Sequence, residues 1–479
     1  MSLKKKTLKG FIWMSLDVLM IRGLAFATSI FLAKLVGPEE FGLVGMMAIF
    51  IAIGLALVDS GLSESLIRSE GLEDDDYSSV FFMNLFICLF IYSLLFFMAP
   101  FIANFYEQSR LTSLIQVYSL CLIFSAFSSV QTAILIKELS FKKLTILNLP
   151  GALIGSLIGV LMAYKGYGVW SIVVMYLITQ GLQSIMLWVF SKWRPIFKIN
   201  FTKVRYHFNF GYKLLISAIL NVSFNNIYNI LIGKYFPLKT LGYYDRALAF
   251  SNQPVSIFSG IISKVTYPML SIIKDDSKKI EEVYRKIFST TFFMTSGIMV
   301  LVVICSKPIF NLILGPEWAP AVPYFQILSI GAVFYPINVF NLNILKVFGR
   351  TDLFLKLEII KKVFIVLCIS IGFIFGIYGL LWSSVIASFG SIIINGYYST
   401  RIIDYSVRNQ VLDLLPTLIV AVVLYLMLKV INDYIIVDSD FFKILITVFF
   451  GFSIYIGISY LFRMKALAYL TQLIINRRA

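Results

Sequence analysis

Residues 78–104 read SSVFFMNLFICLFIYSLLFFMAPFIAN, a run without a charged side chain. About 20 apolar residues are enough for a helix to cross the hydrocarbon core of a bilayer. Similar runs recur along all 479 residues, of which 59% are hydrophobic and only 14% charged. Soluble domains carry about 25% charged residues. The composition therefore excludes a soluble enzyme, a disulfide scaffold and a disordered chain, and it predicts an all-α polytopic membrane protein.

Turn and charge signals divide the apolar runs into about fourteen predicted transmembrane helices, with twelve as the alternative count. The predicted spans are 10–33, 42–67, 78–104, 111–136, 144–164, 169–190, 207–233, 243–270, 287–307, 323–346, 353–376, 378–400, 410–431 and 441–463. No connection between them is long enough to fold as a domain outside the membrane. We therefore expect a protein that is not an enzyme, without catalytic residues, metal or cofactor. Its energy would come from an H⁺ or Na⁺ gradient, from the substrate gradient, or from consumption of the product.

The distribution of basic residues predicts the orientation of the chain. Of the 41 Lys and Arg, 26 lie at the termini and loops on the side of the N-terminus, and 7 lie in the opposite loops. Because short cytoplasmic loops are enriched in Lys and Arg, both termini are predicted to be cytoplasmic, in the inner or plasma membrane. The net charge of +16 thus describes topology and contact with anionic membrane lipids, and we expect no nucleic-acid partner.

A faint internal repeat predicts two similar halves. At an offset of 200 residues, Leu32-Ala33-Lys34 aligns with Ile232-Gly233-Lys234, and Phe41-Gly42 aligns with Leu241-Gly242. The turn at Tyr167-Gly168 likewise resembles that at Tyr378-Gly379. Six spans separate the copies, so the halves have the same orientation, as in transporters built from parallel repeats. We predict two pseudo-symmetric six-helix lobes, followed by two C-terminal helices: 1–206, 207–405 and 406–479.

Ionisable side chains inside predicted spans are candidates for function, because burying a charge in hydrocarbon is costly. The basic candidates are Arg22, Lys213 and Lys264, and the acidic ones are Asp17, Asp59 and Glu64. The acidic residues could bind a coupling ion. The structural alternative for Arg22, near the middle of its span, is pairing with Asp17 or Asp59. The only histidine, His207, begins a span, and we interpret it as an ordinary helix-end residue.

A polar row marks the seventh predicted span, where Lys213, Ser217, Asn221, Asn225 and Asn229 recur at four-residue steps. Such steps keep side chains on one helix face. A row of amides facing lipid would be unsatisfied, so this face must meet protein or water. The functional interpretation is a hydrated cavity whose amides bind sugar hydroxyls and whose lysine binds phosphate. The alternative is hydrogen bonding between helices, which polar residues in membrane bundles often provide.

Five segments resemble Wzx-type polysaccharide-transport flippases, which belong to the multidrug, oligosaccharidyl-lipid and polysaccharide exporter superfamily. They are Leu32–Val44 (LAKLVGPEEFGLV), Val58–Leu62 (VDSGL), Leu241–Ala247 (LGYYDRA), Gly315–Pro323 (GPEWAPAVP) and Gly349–Glu358 (GRTDLFLKLE). The resemblance implies fourteen helices and alternating access. It also implies a substrate, an undecaprenyl-pyrophosphate-linked oligosaccharide flipped from the cytoplasmic to the outer leaflet for surface polysaccharide or lipopolysaccharide synthesis.

The resemblance further implies that cationic cavity residues bind the pyrophosphate and sugar, a role for which Arg22, Lys213 and Lys264 are the matching positions. Polysaccharide polymerase and chain-length proteins are the implied protein partners. Two transporters of the same superfamily remain as alternatives: a cation-coupled multidrug exporter using Asp17, Asp59 or Glu64, and a lipid II flippase. A membrane-embedded polymerase or ligase is disfavoured, because such enzymes generally need a large outer loop.

Overall fold

The computed structural model describes residues 20–21, 23–59, 61–272, 276–400, 402–403, 405–434 and 437–475. Within these ranges every regular element is helical and no β-strand occurs, which confirms the all-α prediction. The chain packs as two compact units, Met1–Gly242 and Tyr243–Ala479. The predicted division into two six-helix lobes and a C-terminal pair stays a prediction.

The described residues of the first unit form ten complete helices. These are α1 (Gly23–Val36), α2 (Pro38–Asp59), α3 (Leu62–Arg68), α4 (Asp74–Tyr106), α5 (Leu111–Tyr118), α6 (Leu120–Lys137), α7 (Phe141–Tyr164), α8 (Val169–Phe190), α9 (Phe201–Asn225) and α10 (Ile227–Tyr235). The next helix, α11 (Leu238–Ile272), begins in the first unit and continues into the second.

In the second unit, the residues that the structure describes form nine further helices and one 3₁₀ turn, Pro316–Trp318. The helices are α12 (Ser277–Ile304), α13 (Ser306–Ile313), α14 (Ala321–Ala332), α15 (Tyr335–Val347), α16 (Thr351–Ile374), α17 (Gly376–Ser399), α18 (Val407–Tyr434), α19 (Asp440–Leu461) and α20 (Lys465–Ile475).

Ten segments among the described residues are helical, long and apolar enough to cross a membrane, and the bent pair α9–α10 makes an eleventh. Helices also occupy the predicted spans 243–270 and 353–376, as α11 and α16. Polar and charged side chains interrupt the apolar sequence of α11 and α16, so these two helices are not among the ten apolar segments. Of the predicted span 10–33, the structure describes a helix only from Gly23. The protein is thus a multi-pass membrane protein, while the count of fourteen stays a prediction.

Glycines allow close packing of one helical hairpin in each unit. In the first unit, a Cβ atom added at Gly155 of α7 would overlap the hydroxyl of Thr179 in α8. In the second, a Cβ atom at Gly379 of α17 would overlap the carbonyl oxygen of Gly372 in α16. Small residues let helix backbones approach closely in membranes, where packing rather than hydrophobic burial drives association. Both hairpins turn where the sequence predicted a tight turn.

The start and the end of helix α4 define two regions of the first unit. This helix has 33 residues, and at 1.5 Å per residue it is about 50 Å long. A capping box between Glu73 and Asp76 begins the helix. We call the surroundings of residues 73–76 the acidic end. The opposite end, where α4 stops at Tyr106, also contains Gly42 and Gly242, and we call it the glycine end.

Candidate functional site

The predicted polar row lies on two helices that meet at a bend. Helix α9 stops at Asn225, and α10 continues from Ile227 at an angle of 43°. At the bend, the amide nitrogen of Asn226 donates to the carbonyl oxygen of Val222 at 2.8 Å. Ser217, Asn221 and Asn225 are exposed, whereas Asn229 beyond the bend is buried. Only the part of the row on α9 therefore presents an accessible polar face.

The structure places some of the other predicted site residues on helices. Lys213 lies on α9, Lys264 on α11 and Asp59 at the end of α2. Glu64 lies on α3 and is exposed. Arg22 and Asp17 lie outside the described residues. The cationic cavity and the acidic coupling site stay predictions.

A buried polar cluster that we did not predict joins α9 to α3 and α4 at the acidic end. His207 of α9 is 0% exposed, so it is not an ordinary helix-end residue. Its Nδ1 atom lies 2.7 Å from Oγ of Ser65 in α3, and its Nε2 atom lies 3.4 Å from Oδ1 of Asp76 in α4. Lys203, one turn earlier on α9, donates to Oδ2 of Asp76 at 2.8 Å and to Glu73 at 2.7 Å.

Two further lysines contact this end of the unit. Lys137, at the end of α6, donates to the carbonyl oxygens of Leu66 and Ser69 at 3.2 and 2.6 Å. Lys198 pairs with Asp75 at 2.6 Å. The acidic run at the start of α4 is therefore neutralised in part by lysines from the segment that precedes and begins α9. A lone histidine one turn after Lys203 was the available signal in the sequence, but only the fold shows that it faces Asp76.

Close backbone contact characterises the glycine end. A Cβ atom at Gly242 would overlap the carbonyl oxygen of Pro38, and one at Gly42 would overlap that of Leu238. The two contacts are reciprocal under the offset of 200 residues that relates the predicted repeats. All four residues belong to the first unit, so the repeat appears here as a local two-fold arrangement of helix starts.

Ion pairs surround this backbone contact. Glu40 accepts two hydrogen bonds from Arg110, at 2.7 and 2.8 Å, and a third from the backbone nitrogen of Val169 at 2.8 Å. The Glu40 carboxylate raises the pKa of the Arg110 guanidinium. Lys234 donates to Glu107 at 2.8 Å, which lowers the pKa of that exposed carboxyl group.

In the second unit, a groove of about 1280 Å³ lies between α12, α18, the end of α19 and α20. Its apolar wall includes Ile419, Val423 and Met427, and its rim includes Arg463 and Lys465. Such a groove can accommodate a hydrocarbon chain beside a polar group. Among the described residues, no three His, Cys, Asp or Glu side chains are grouped so as to hold a metal ion.

This architecture is that of membrane flippases and exporters. The structure resembles the lipid II flippase MurJ in an inward closed conformation, with a TM-score of 0.74 and 19% identity over 94% of this chain and 98% of that one. It also resembles a multidrug resistance MATE family transporter of the MOP superfamily, with a TM-score of 0.61 and 15% identity over 82% of this chain and 98% of that one. At such identities the likeness concerns the fold alone.

Sequence comparison gives the family. Residues 31–323 match the family described as polysaccharide biosynthesis protein, and the chain belongs to that family. It is 22% identical to the lipopolysaccharide biosynthesis protein WzxC of Escherichia coli K12, over 90% of this chain and 89% of that protein. It is 23% identical to the teichuronic acid biosynthesis protein TuaB of Bacillus subtilis 168, over 74% and 73%. The resemblance to polysaccharide-transport flippases is thereby confirmed.

Proposed function

We propose that the protein is a flippase that carries polyprenyl-pyrophosphate-linked oligosaccharide repeat units across the membrane for the synthesis of a surface polysaccharide. The observation that carries this proposal is the exposed row Ser217, Asn221 and Asn225 on α9, in a chain of the polysaccharide biosynthesis family. Relatives named for lipopolysaccharide and teichuronic acid biosynthesis support this substrate class.

The chemistry of the row suits a sugar. Each amide offers two N–H donors and a carbonyl acceptor, and a serine hydroxyl both donates and accepts. Sugar hydroxyls have the same dual capacity. An exposed polar face is suited to water or substrate rather than to lipid. Lys213, on the same helix, would supply the positive charge for the pyrophosphate, together with Arg22 and Lys264.

Transport would proceed by alternating access, with the oligosaccharide in a hydrated cavity and the polyprenyl chain in an apolar environment. In this proposal the protein lies in the inner or plasma membrane with both termini in the cytoplasm, and the substrate moves outward. An H⁺ or Na⁺ gradient would drive it through Asp17, Asp59 or Glu64, and the polymerase and chain-length proteins would receive the product.

Deletion of the gene in the source organism tests the proposed substrate. We expect lipid-linked repeat units to accumulate on the cytoplasmic face and surface polysaccharide to be lost. Normal polysaccharide combined with drug hypersensitivity would instead identify a multidrug exporter. Accumulation of lipid II with a peptidoglycan defect would identify a lipid II flippase. Either result would contradict the proposal.

Complementation of the deletion tests the site. Asn225→Ala and Lys213→Ala are expected to reduce export severalfold or more without lowering the amount of protein in the membrane. Lys213→Arg should retain part of the activity, because it keeps the charge. Leu220→Ala is the matched control, since Leu220 is also exposed on α9 but carries no polar group. If Asn225→Ala and Lys213→Ala both complement fully, the substrate does not bind this face.

A further inference from the structure

His207 is placed between a donor and an acceptor in a way that defines its protonation chemistry. The ionised Asp76 carboxylate can only accept hydrogen bonds, so Nε2 of the neutral imidazole carries the hydrogen that faces it. Nδ1 must then accept from the Ser65 hydroxyl, at 2.7 Å. A second proton can bind only at Nδ1. The Ser65 hydroxyl would then rotate and accept from the imidazolium.

The contact between His207 and Asp76 is longer than an ordinary hydrogen bond and can shorten. Nε2 and Oδ1 are 3.4 Å apart, whereas hydrogen bonds between N–H and oxygen have typical lengths of about 2.7–3.2 Å. A charged donor and a carboxylate approach to about 2.7–2.9 Å and bind roughly twice as strongly as neutral groups. Protonation of His207 would therefore convert a long contact between α9 and α4 into a short ionic one.

Two carboxylates and two lysines surround the imidazole of His207. Asp76 faces it from α4, and Lys203 contacts the same carboxylate from α9. Glu73 contacts Lys203, and Lys137 of α6 also acts on the imidazole at longer range. Asp76, Glu73 and Lys203 are linked by hydrogen bonds and together carry one net negative charge, so a proton on His207 would make this linked group neutral. Lys137 lies outside the linked group and adds one positive charge at longer range.

A route for the proton exists beside the cluster. A small pocket of about 340 Å³ is lined by Ser65, Arg68, Ser69, Glu70, Tyr206 and Phe210. Ser65 is thus shared between the pocket and the hydrogen bond to Nδ1, the atom that would take up the proton. His207 itself is fully buried, so exchange would pass through this polar pocket.

We infer that His207 and Asp76 form a proton-binding site whose occupancy controls how firmly the start of α9 is held to α3 and α4. Proton binding tightens the contact, and proton release loosens it. The link to transport rests on the proposed function, because α9 also carries the amide row. The proton site itself does not depend on that function.

The single histidine of the chain allows a direct test. Protein labelled with [¹⁵N]histidine in lipid nanodiscs gives imidazole signals from one residue, and His207→Gln confirms their assignment. We expect reversible titration between about pH 5 and 8, the range accessible to histidine. A signal that does not change over this range overturns the proposal.

Three variants define the partners of the imidazole. Asp76→Asn removes the facing negative charge, so the midpoint should move to lower pH. Ser65→Ala removes the donor that stabilises the neutral form, so the midpoint should move to higher pH. Asp75→Asn is the control, because Asp75 pairs with Lys198. Shifts of equal size and direction for Asp75→Asn and Asp76→Asn would show only a general charge effect and contradict the assigned site.

The export assay separates this inference from the proposed function. In the complementation assay, with the cytoplasmic pH adjusted between about 6 and 8 by a permeant weak acid, His207→Gln should flatten the pH dependence of export, and the His207→Gln protein should remain in the membrane. If His207 titrates but the deletion strain makes normal polysaccharide, the flippase proposal fails and the proton site stands. If export requires this protein but His207 does not titrate, the reverse holds.

Discussion

The acidic end and the glycine end of the first unit are built on opposite principles. At the acidic end, α3, α4 and α9 are joined by side chains: His207, Ser65, Asp76 and Lys203 exchange hydrogen bonds in a largely buried cluster. At the glycine end, α2 and α11 are joined by backbone, because Gly42 and Gly242 carry no side chain to separate them. Salt bridges there are peripheral and partly exposed.

The side-chain cluster and the backbone contact differ in how they respond to a chemical change. A side-chain cluster can gain or lose a proton or a partner and adjust its strength in small steps. A glycine contact depends on shape alone, so it either fits or is disrupted by any added atom. We expect substitutions of Gly42 and Gly242 to act in an all-or-none manner, and substitutions in the cluster of His207 and Asp76 to act in a graded and pH-dependent manner.

Gly242→Val should have the largest effect. The added side chain would overlap the Pro38 carbonyl oxygen, and because that oxygen belongs to the backbone, the helix starts must separate. Overpacking typically costs about 1–3 kcal/mol, and a backbone clash should reach or exceed the upper value. Thermal unfolding in detergent and the export assay should both show severe loss.

Gly457→Val is the control for that substitution. Gly457 lies inside α19 with open space around it, so the same side chain should fit without displacement. Equal loss in the two variants would mean that valine acts through helix propensity and not through the close contact at the glycine end.

Asp76→Asn should have an intermediate effect. It leaves Lys203 and His207 facing a neutral amide, and loss of a buried hydrogen-bond partner costs about 1–3 kcal/mol. The unfolding midpoint should fall clearly and the protein should still fold. Asp75→Asn disrupts a pair whose lysine is 66% exposed, so a small change is expected, about 0–1 kcal/mol. Equal destabilisation by Asp76→Asn and Asp75→Asn would contradict the conclusion that Asp76 is the buried carboxylate on which this cluster depends.

Lys234→Gln should have the smallest effect, because Glu107 is exposed and surface pairs contribute little. Its pH dependence has a definite sign. The pKa of Glu107 is lowered in the folded protein, so any contribution is present above the ordinary glutamate pKa and lost as the pH falls through the lowered value. The difference between wild type and variant in unfolding temperature should be largest near neutral pH and vanish in acid. A growing difference in acid would refute this assignment.

Much of the fold was predictable because hydrophobic length is a local signal. Every predicted span from 42–67 onward overlaps a helix, and the tight turns at 165–168 and 376–379 occur where Gly166 and Gly376 have positive φ. The break of span 42–67 into α2 and α3 was missed. Gly61, with φ of +66°, lies between the two helices, and the Ser60-Gly61 pair is a turn signal in the sequence.

The candidate site was predictable only in part. Four-residue spacing identified the polar row, but not the bend at Asn226 that separates Asn229 from the rest. The cluster of His207 and Asp76 depends on two residues 131 positions apart, and no local pattern relates them. Asn341 of α15 is likewise 0% exposed, and its amide oxygen accepts hydrogen bonds from Tyr284 and Ser399, which lie 57 and 58 positions away.

Because the helix bends at Asn226, a small rotation of α9 about that residue moves the other end of α9 by a larger distance. From Asn226 to His207 the helix extends 19 residues, roughly 28 Å at 1.5 Å per residue. A rotation of about 5° around the bend would carry His207 roughly 2.4 Å along an arc of that radius, more than any hydrogen bond tolerates. Shortening the contact with Asp76 by about 0.5 Å requires a rotation of only about 1°. The imidazole signals of His207 are therefore sensitive to the angle of α9. They would record rotations of this helix that are too small to detect from its backbone.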